Sequence, residues 1–353
     1  MESRIITLKC SELREGMVIA KDIEKNGRIL VKKNVEITLP IIKKMQDVLL
    51  IESIQVYDPL GRTISLKEKE LENLNKIEKD FNEISDKLKE AFEHIERNIE
   101  YIKEIRTLTD KISSKIDYNN IVIKNIVIHG SKEDSIYRHS VNVAALSSIL
   151  GKWIGLSDIS LKQLMYSALL HDVGKIKIDK NILEKKSNLT TSEYKCIKGH
   201  SVLGYRVVKS IPYMDKSISY GVLMHHERED GSGYPLGLKG NQIHQFGKII
   251  AIADVFDAIN SDRGYKKKKA PFEALQIVKN ESLGRLNYEY VKIFLEHIIN
   301  YYLGEQVILS NGDKCKILQM NVNDLERPLL LKDDNFLDLS KNRDIYIKSI
   351  LLD

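Results

Sequence analysis

The 353-residue chain sets 55 Lys and Arg against 50 Asp and Glu, a formal net charge of +5, with 42% hydrophobic and 30% charged residues. The two signs are interspersed, which argues against general binding of a nucleic-acid polymer, and no apolar run approaches the roughly 20 residues that span a bilayer. Cys10, Cys196 and Cys315 form neither a CxxC pair nor a disulfide framework, and the first twenty residues lack the apolar core of a secretory signal, so a cytoplasmic protein with no membrane partner is expected.

Residues 1–65 read as a small mixed α/β module. Strand-like pieces at 5–8, 17–20, 28–32 and 53–57 are separated by turn signals, and Asn26-Gly27 suits a hairpin. The spacing at 39–50 predicts a helix after Thr38, with Pro40 in its first turn. Nothing in this module carries obvious chemistry, and its role is open.

Residues 66–118 predict one long amphipathic helix. Leu71, Leu74, Ile77, Phe81, Ile84, Leu88, Phe92, Ile95, Ile99, Ile102, Ile105, Leu108, Ile112 and Ile116 recur every three or four residues without an intervening Gly or Pro. A spacing near the 3.5 of a heptad repeat supports a homodimer seam over 71–116; a helix folding back on its own domain is an equal alternative.

Residues 119–303 predict an all-helical domain, with helical spacing at 136–154, 160–170, 191–208, 214–226, 246–259, 271–279 and 288–303. Short β-type pieces at 306–310, 315–321, 328–332 and 344–350 make residues 304–353 a small β appendage. The expected fold class is therefore mainly α, with a mixed α/β module before the helical domain and a β appendage after it.

Histidines and carboxylates gather in the helical part. His171-Asp172 closes an apolar helical pattern and leads into Val173-Gly174-Lys175, His139, His200 and His225-His226 add imidazoles, and Asp254 sits inside the apolar stretch 249–259. Each has an ordinary explanation alone: His139 on a helix surface, His200 near a helix end, Asp254 paired with a buried Lys or Arg. Adjacent His225-His226 resist this, because neighbouring helical positions diverge by about 100° and need separate partners unless both border one site. Jointly the set points to a metal centre, since imidazole nitrogen and carboxylate oxygen suit iron, manganese or zinc, and one carboxylate can bridge two ions. Gly231-Ser232-Gly233-Tyr234-Pro235 predicts an extended loop. Lys266 to Lys269, close behind Arg263, read either as solvated surface or as contacts for an anionic substrate.

These motifs resemble the HD-GYP branch of the HD phosphohydrolase superfamily. The resemblance covers about residues 125–300 and rests on His171-Asp172 with Gly174-Lys175, on the run HHEREDGSGYP from His225 to Pro235, and on Asp254 and Asp257 followed by Ser261-Asp262-Arg263. It implies hydrolysis of cyclic di-GMP to pGpG or GMP by two divalent ions, iron or manganese by family expectation. Carried over, His139, His171, Asp172 and Asp254 hold one ion, and Asp172, His200, His225 and His226 the other, with Asp172 bridging. Asp172 and Lys175 are the implied catalytic pair. Lys175, Gly233, Tyr234, Arg263 and Lys266 are the implied substrate contacts, Gly233 by allowing close approach, while Glu227, Arg228 and Asp230 fix the loop. A glutamate that gives some members a third ion is Ser135 here, with Asp134 one residue off, which is similar to the two-metal subgroup. Asp179 and Gly264 stand where the family often has proline. Two alternatives accompany this reading: the same chemistry on another substrate, such as cyclic GMP-AMP or a nucleotide monophosphate, and a non-catalytic cyclic di-GMP receptor. The intact Gly-Tyr-Pro loop argues against a monophosphate, and the complete ligand set against a receptor.

Overall fold

The computed structural model describes residues 5–351 apart from 11, 15, 26–27, 39–40, 43–44, 46–50, 52, 58–62, 96–98, 117–118, 132–135, 186, 262–270 and 334. The expected turn Asn26-Gly27, Pro40 with most of the helix expected at 39–50, Asp134 and Ser135, and the expected substrate contacts Arg263 and Lys266 with Gly264 lie outside the described residues. Two compact units emerge: Leu74–Leu295, and Met1–Asn73 together with Glu296–Asp353. Among the described residues, no helix is long and apolar enough to cross a membrane.

Helices α1 (Thr63–His94) and α2 (Ile99–Ile116) replace the single long helix expected from the apolar repeat. The chain reverses between them, for Lys115 Nζ on α2 meets Asp80 Oδ2 on α1 at 2.5 Å and the His94 and Tyr101 rings lie 5.0 Å apart. An apolar repeat that stays in phase on both arms carries no mark of the reversal. Leu74, Ile77, Phe81, Ile84, Leu88 and Phe92 on α1, with Ile102, Ile105, Leu108 and Ile112 on α2, are buried. Each contributes about 1.5–3 kcal/mol on leaving water. The stripe therefore serves the chain's own core, the fold-back that stood as the equal alternative to a homodimer seam.

Helix α3 (Asn119–His129) leads to α4 (Ile136–Ile154), which is buried at every position from Arg138 to Gly151. Its Ser140, Ala144, Ala145, Ser147, Ser148 and Gly151 let α2, α3, α5 (Asp158–Leu169) and α10 (Gln245–Asn260) approach from several sides. Helix α5 starts at Ser157, whose hydroxyl accepts from Ser160 N at 3.3 Å, and stops at Leu169, so His171-Asp172 fall in the turn before the 3-10 segment Val173–Lys177. There follow α6 (Lys180–Leu183), α7 (Thr191–Lys198), α8 (His200–Lys209), α9 (Lys216–Met224) and, beyond α10, α11 (Pro271–Glu281) and α12 (Tyr288–Ile298). The helix expected over 191–208 is split at Gly199, where a turn closes on Cys196 O at 3.0 Å and α8 restarts at His200. Glycine is a poor helix former, and here it resets the direction from which His200 enters the site.

In the terminal unit β1 (Ile5–Lys9) pairs antiparallel with β4 (Ser53–Tyr57), and β2 (Ile23–Lys25) with β3 (Arg28–Val31). The strand expected at 17–20 makes only isolated bridges, Val18 to Glu36 and Ile19 to Val56. Near the C-terminus β5 (Gln306–Leu309), β6 (Lys314–Asn321), β7 (Asp324–Lys332), β8 (Asn335–Asp338) and β9 (Ile347–Leu351) form an antiparallel sheet in the order β8-β7-β6-β5-β9. Ile19, Ile37, Met45, Ile54 and Val56 make an apolar core against which Leu318 of β6 packs, so both ends of the chain share this unit.

Candidate metal centre

Five elements converge. Helix α4 supplies His139, the turn after α5 supplies His171 and Asp172, α8 begins with His200, α9 ends at His225 and His226, and α10 carries Asp254. All but His226 are buried. His200 Nε2 lies 3.2 Å from His225 Nε2 and 3.3 Å from Asp172 Oδ1, and His171 Nε2 lies 3.5 Å from Asp172 Oδ2. His139 Nε2 is 3.0 Å from Asp254 Oδ1, and His226 Nδ1 is 3.8 Å from Asp254 Oδ2. Ligand atoms of His200, His225 and His226 fall within 4.8 Å of one another, as do those of His139, His171 and Asp254, and those of His171, Asp172 and His225. Gly174 makes this convergence possible: a Cβ there would overlap the carbonyl of His200 and the amide of Gly204, so only glycine lets the turn behind Asp172 lie on α8.

The positions of the imidazole protons follow from the partners. Nδ1 of His171, His200 and His225 lies 2.7 Å from the carbonyl oxygens of Ala168, Ile197 and Val222, three residues back. A carbonyl only accepts, so each Nδ1 donates and each Nε2 presents a lone pair. His200 Nε2 thus faces two further acceptors, His225 Nε2 and the Asp172 carboxylate. His171 Nε2 and Asp172 Oδ1 are buried without a hydrogen-bond partner. Leaving such a group unsatisfied costs about 1–3 kcal/mol. A cation among these acceptors removes the cost, and histidines whose second nitrogen is already engaged are the usual metal ligands. The donor set fits a divalent transition metal.

Charge is arranged to match. Burial lowers His171 and His200, and holds His225 and His226 well below the ordinary histidine value, so these four imidazoles are neutral at pH 7. Burial pushes Asp172 up, but the Lys175 ammonium beside it outweighs this and holds the carboxyl well below its usual range; Asp254 is held down against burial by its hydrogen bond with His139. His139 is the exception. Burial pulls it down, yet hydrogen bonds with Asp254 and Asp257 raise it to about 9. Its Nδ1 lies 2.7 Å from Asp257 Oδ2.

The loop after His226 is fastened by side chains. Buried Glu227 accepts the Leu236 and Leu238 amides at 2.7 and 2.9 Å, Asp230 accepts from Ser232 N at 2.8 Å, and Glu229 Oε1 meets Lys248 Nζ at 3.0 Å. A Cβ on Gly233 would collide with the backbone of His226, Glu227 and Arg228, so this glycine lets the loop fold onto itself. Tyr234 stacks on His226 with centroids 4.6 Å apart. Lys198 Nζ sits 5.0 Å from the Tyr234 ring and 4.7 Å from that of Tyr194, while Lys175 Nζ lies 2.5 Å from Asp172 Oδ2.

Residues 122–288 match the family model described as HD domain. That segment of the chain is an HD domain. Similar proteins include a cyclic di-GMP phosphodiesterase of Pseudomonas aeruginosa, 31% identical over 63% of this chain and 53% of its own length. A cyclic di-GMP phosphodiesterase of Thermotoga maritima is 38% identical over 45% of this chain and 44% of its own. The 3'3'-cGAMP-specific phosphodiesterase 1 of Vibrio cholerae is 36% identical over 52% of this chain and 42% of its own. The chain thus spans about half the length, or less, of these curated relatives. A solved HDG"Y"P protein from Bdellovibrio bacteriovorus shares the fold, with a TM-score of 0.55 at 17% identity, covering 84% of this chain and 100% of that one.

Within the HD domain the seven residues expected as ligands lie together, and Lys175 and Tyr234 border them. One carboxylate had no role assigned from sequence. Asp257 is fully buried, accepts from Asn142 Nδ2 at 2.8 Å and the Ser131 hydroxyl at 2.5 Å, and supports His139 from behind. Its signal was its place one turn after Asp254 on an apolar helix, where a second carboxylate needs a partner as much as the first. His244, by contrast, caps α10 by accepting from Phe246 N at 3.1 Å.

Proposed function

We propose that the chain is a metal-dependent phosphodiesterase that hydrolyses cyclic di-GMP to pGpG or GMP. The observation that carries this reading is the buried meeting of His200 Nε2, His225 Nε2, His171 Nε2 and Asp172 Oδ1, four acceptor atoms with no donor among them. Two ions are proposed, iron or manganese with zinc as the alternative. His139, His171, Asp172 and Asp254 would hold one, and Asp172, His200, His225 and His226 the other. When bound, such ions supply a water that ionises near neutral pH and neutralise charge on the phosphate. The chain's own groups do the rest. Lys175 keeps Asp172 ionised and, with its side chain 23% exposed, stands at the edge of the site where a phosphate can reach it. Tyr234, held by His226 and flanked by Lys198, offers an aromatic face to a guanine and a cation to a phosphate. Arg263 and Lys266 are proposed as further phosphate contacts.

Metal analysis of anaerobically purified protein, paired with chromatography of products after incubation with cyclic di-GMP, tests the proposal. Metal bound with pGpG or GMP formed is the expected result; a fully metallated protein that leaves cyclic di-GMP intact overturns it. The 36% identity to a protein named for 3'3'-cGAMP favours a second substrate, so cyclic GMP-AMP belongs in the same assay.

A further inference from the structure

We propose that Arg138 sets the orientation of Asn142, and through it the support that Asp257 gives His139, and that α1, which precedes the segment matched as the HD domain, holds Arg138 in the orientation this requires. The proposal rests on the reading of the cluster as a metal centre. Arg138 precedes the ligand His139 on α4 and is buried. Helix α1 surrounds its guanidinium: Nη1 donates to Asn82 Oδ1 at 2.6 Å, Nη2 donates to Glu78 Oε2 at 2.8 Å, and the Phe81 ring centroid lies 5.2 Å from Cζ. Nη2 also donates to Asn125 Oδ1 of α3 at 3.0 Å. The remaining nitrogen, Nε, donates to Asn142 Oδ1 at 3.1 Å.

A guanidinium has donors only, and that fixes the direction of its bond with Asn142. Asn142 has to turn its oxygen toward Arg138, so its amide nitrogen points onward and donates to Asp257 Oδ1 at 2.8 Å. Asp257 accepts there and accepts the Ser131 hydroxyl at Oδ2, leaving His139 Nδ1, 2.7 Å from Oδ2, as a donor. The proton stays on Nδ1, and Nε2 is the nitrogen that turns toward Asp254 and an ion. With a neutral amide at position 138 Asn142 can reverse and turn its oxygen toward Asp257 Oδ1, so the carboxylate that holds the His139 proton loses a donor.

The test is titration of chelator-stripped, full-length protein with Mn(II) against a fluorescent chelator, with melting temperature measured in parallel. Arg138→Gln, which keeps hydrogen-bonding capacity but loses direction, is expected to weaken one Mn(II) equivalent by about ten-fold or more, the range for loss of a ligand's outer support. The other equivalent stays within about two-fold of the parent, and Arg138→Lys, still a donor-only cation, retains most of the affinity. Equal affinities for the Gln and Lys variants overturn the relay, as does a lowered melting temperature with Mn(II) binding unchanged. Should Arg138→Gln fail to fold, Glu78→Gln decides: weakening of the same equivalent supports the relay, and unchanged binding overturns it. A parent protein that takes up no Mn(II) overturns the metal-centre reading itself, and the relay with it.

Discussion

The two halves of the cluster are supported in different ways. His171, His200 and His225 rest their Nδ1 atoms on backbone carbonyls within their own turns, whereas His139 rests on the carboxylate of Asp257 from a separate helix. A carbonyl three residues back is delivered by the turn itself and cannot be removed by substitution. A carboxylate adds charge, makes its histidine more basic, and needs its own partners, here Ser131 and Asn142. One half is therefore built by local backbone, and the other depends on tertiary packing.

The sharpest break comes from removing Asp172, proposed to serve both ions, together with its neighbour. His171→Ala with Asp172→Ala is expected to abolish metal uptake and hydrolysis together, measured by metal analysis and product chromatography. Next, Asp257→Asn removes the carboxylate support and should cost about 10–100-fold in affinity for the equivalent that His139 holds in a metal titration, leaving the other equivalent unchanged. Equal loss at both equivalents would erase the distinction. Lys175→Met removes a charge-assisted contact worth about 1.5–3 kcal/mol, and is expected to raise the KM for cyclic di-GMP by on the order of ten-fold while melting temperature holds.

The smallest effect is on pH dependence of the metal-free protein. His139 is raised to about 9, so its contribution to stability is complete below the ordinary histidine value of about 6.5 and is lost as pH rises toward 9. His171, His200, His225 and His226 are lowered, so their contribution is complete above about 6.5 and is lost as pH falls. Melting temperature should therefore peak near the ordinary histidine value, and His139→Gln should flatten the alkaline limb alone. An unchanged alkaline limb in that variant would remove the electrostatic basis of the contrast.

The carbonyl-supported half was the more legible in sequence. His171-Asp172 and His225-His226 are adjacent pairs, and an adjacent pair announces itself in the linear chain. Asp257 had no such mark, because its role depends on His139, and the two meet only after α4 and α10 have packed. The Arg138 contacts were hidden for the same reason, since Glu78 and Asn82 read simply as the polar face of an amphipathic repeat. That repeat also concealed the reversal between α1 and α2, where the apolar phase continues and no Gly or Pro marks the turn. At Gly199 the opposite held: the break was written in the residue, but periodicity on both sides suggested one helix across it. Strand β8, only Asn335–Asp338, was too short for alternation to register.

Gly174 joins the turn behind Asp172 to the backbone of His200, fitting two ligands from different segments into one stiff splice. For an ion held as proposed, the two side chains are brought together in advance: the entropy of bringing Asp172 to His200 is settled during folding, and little ordering remains for that ion.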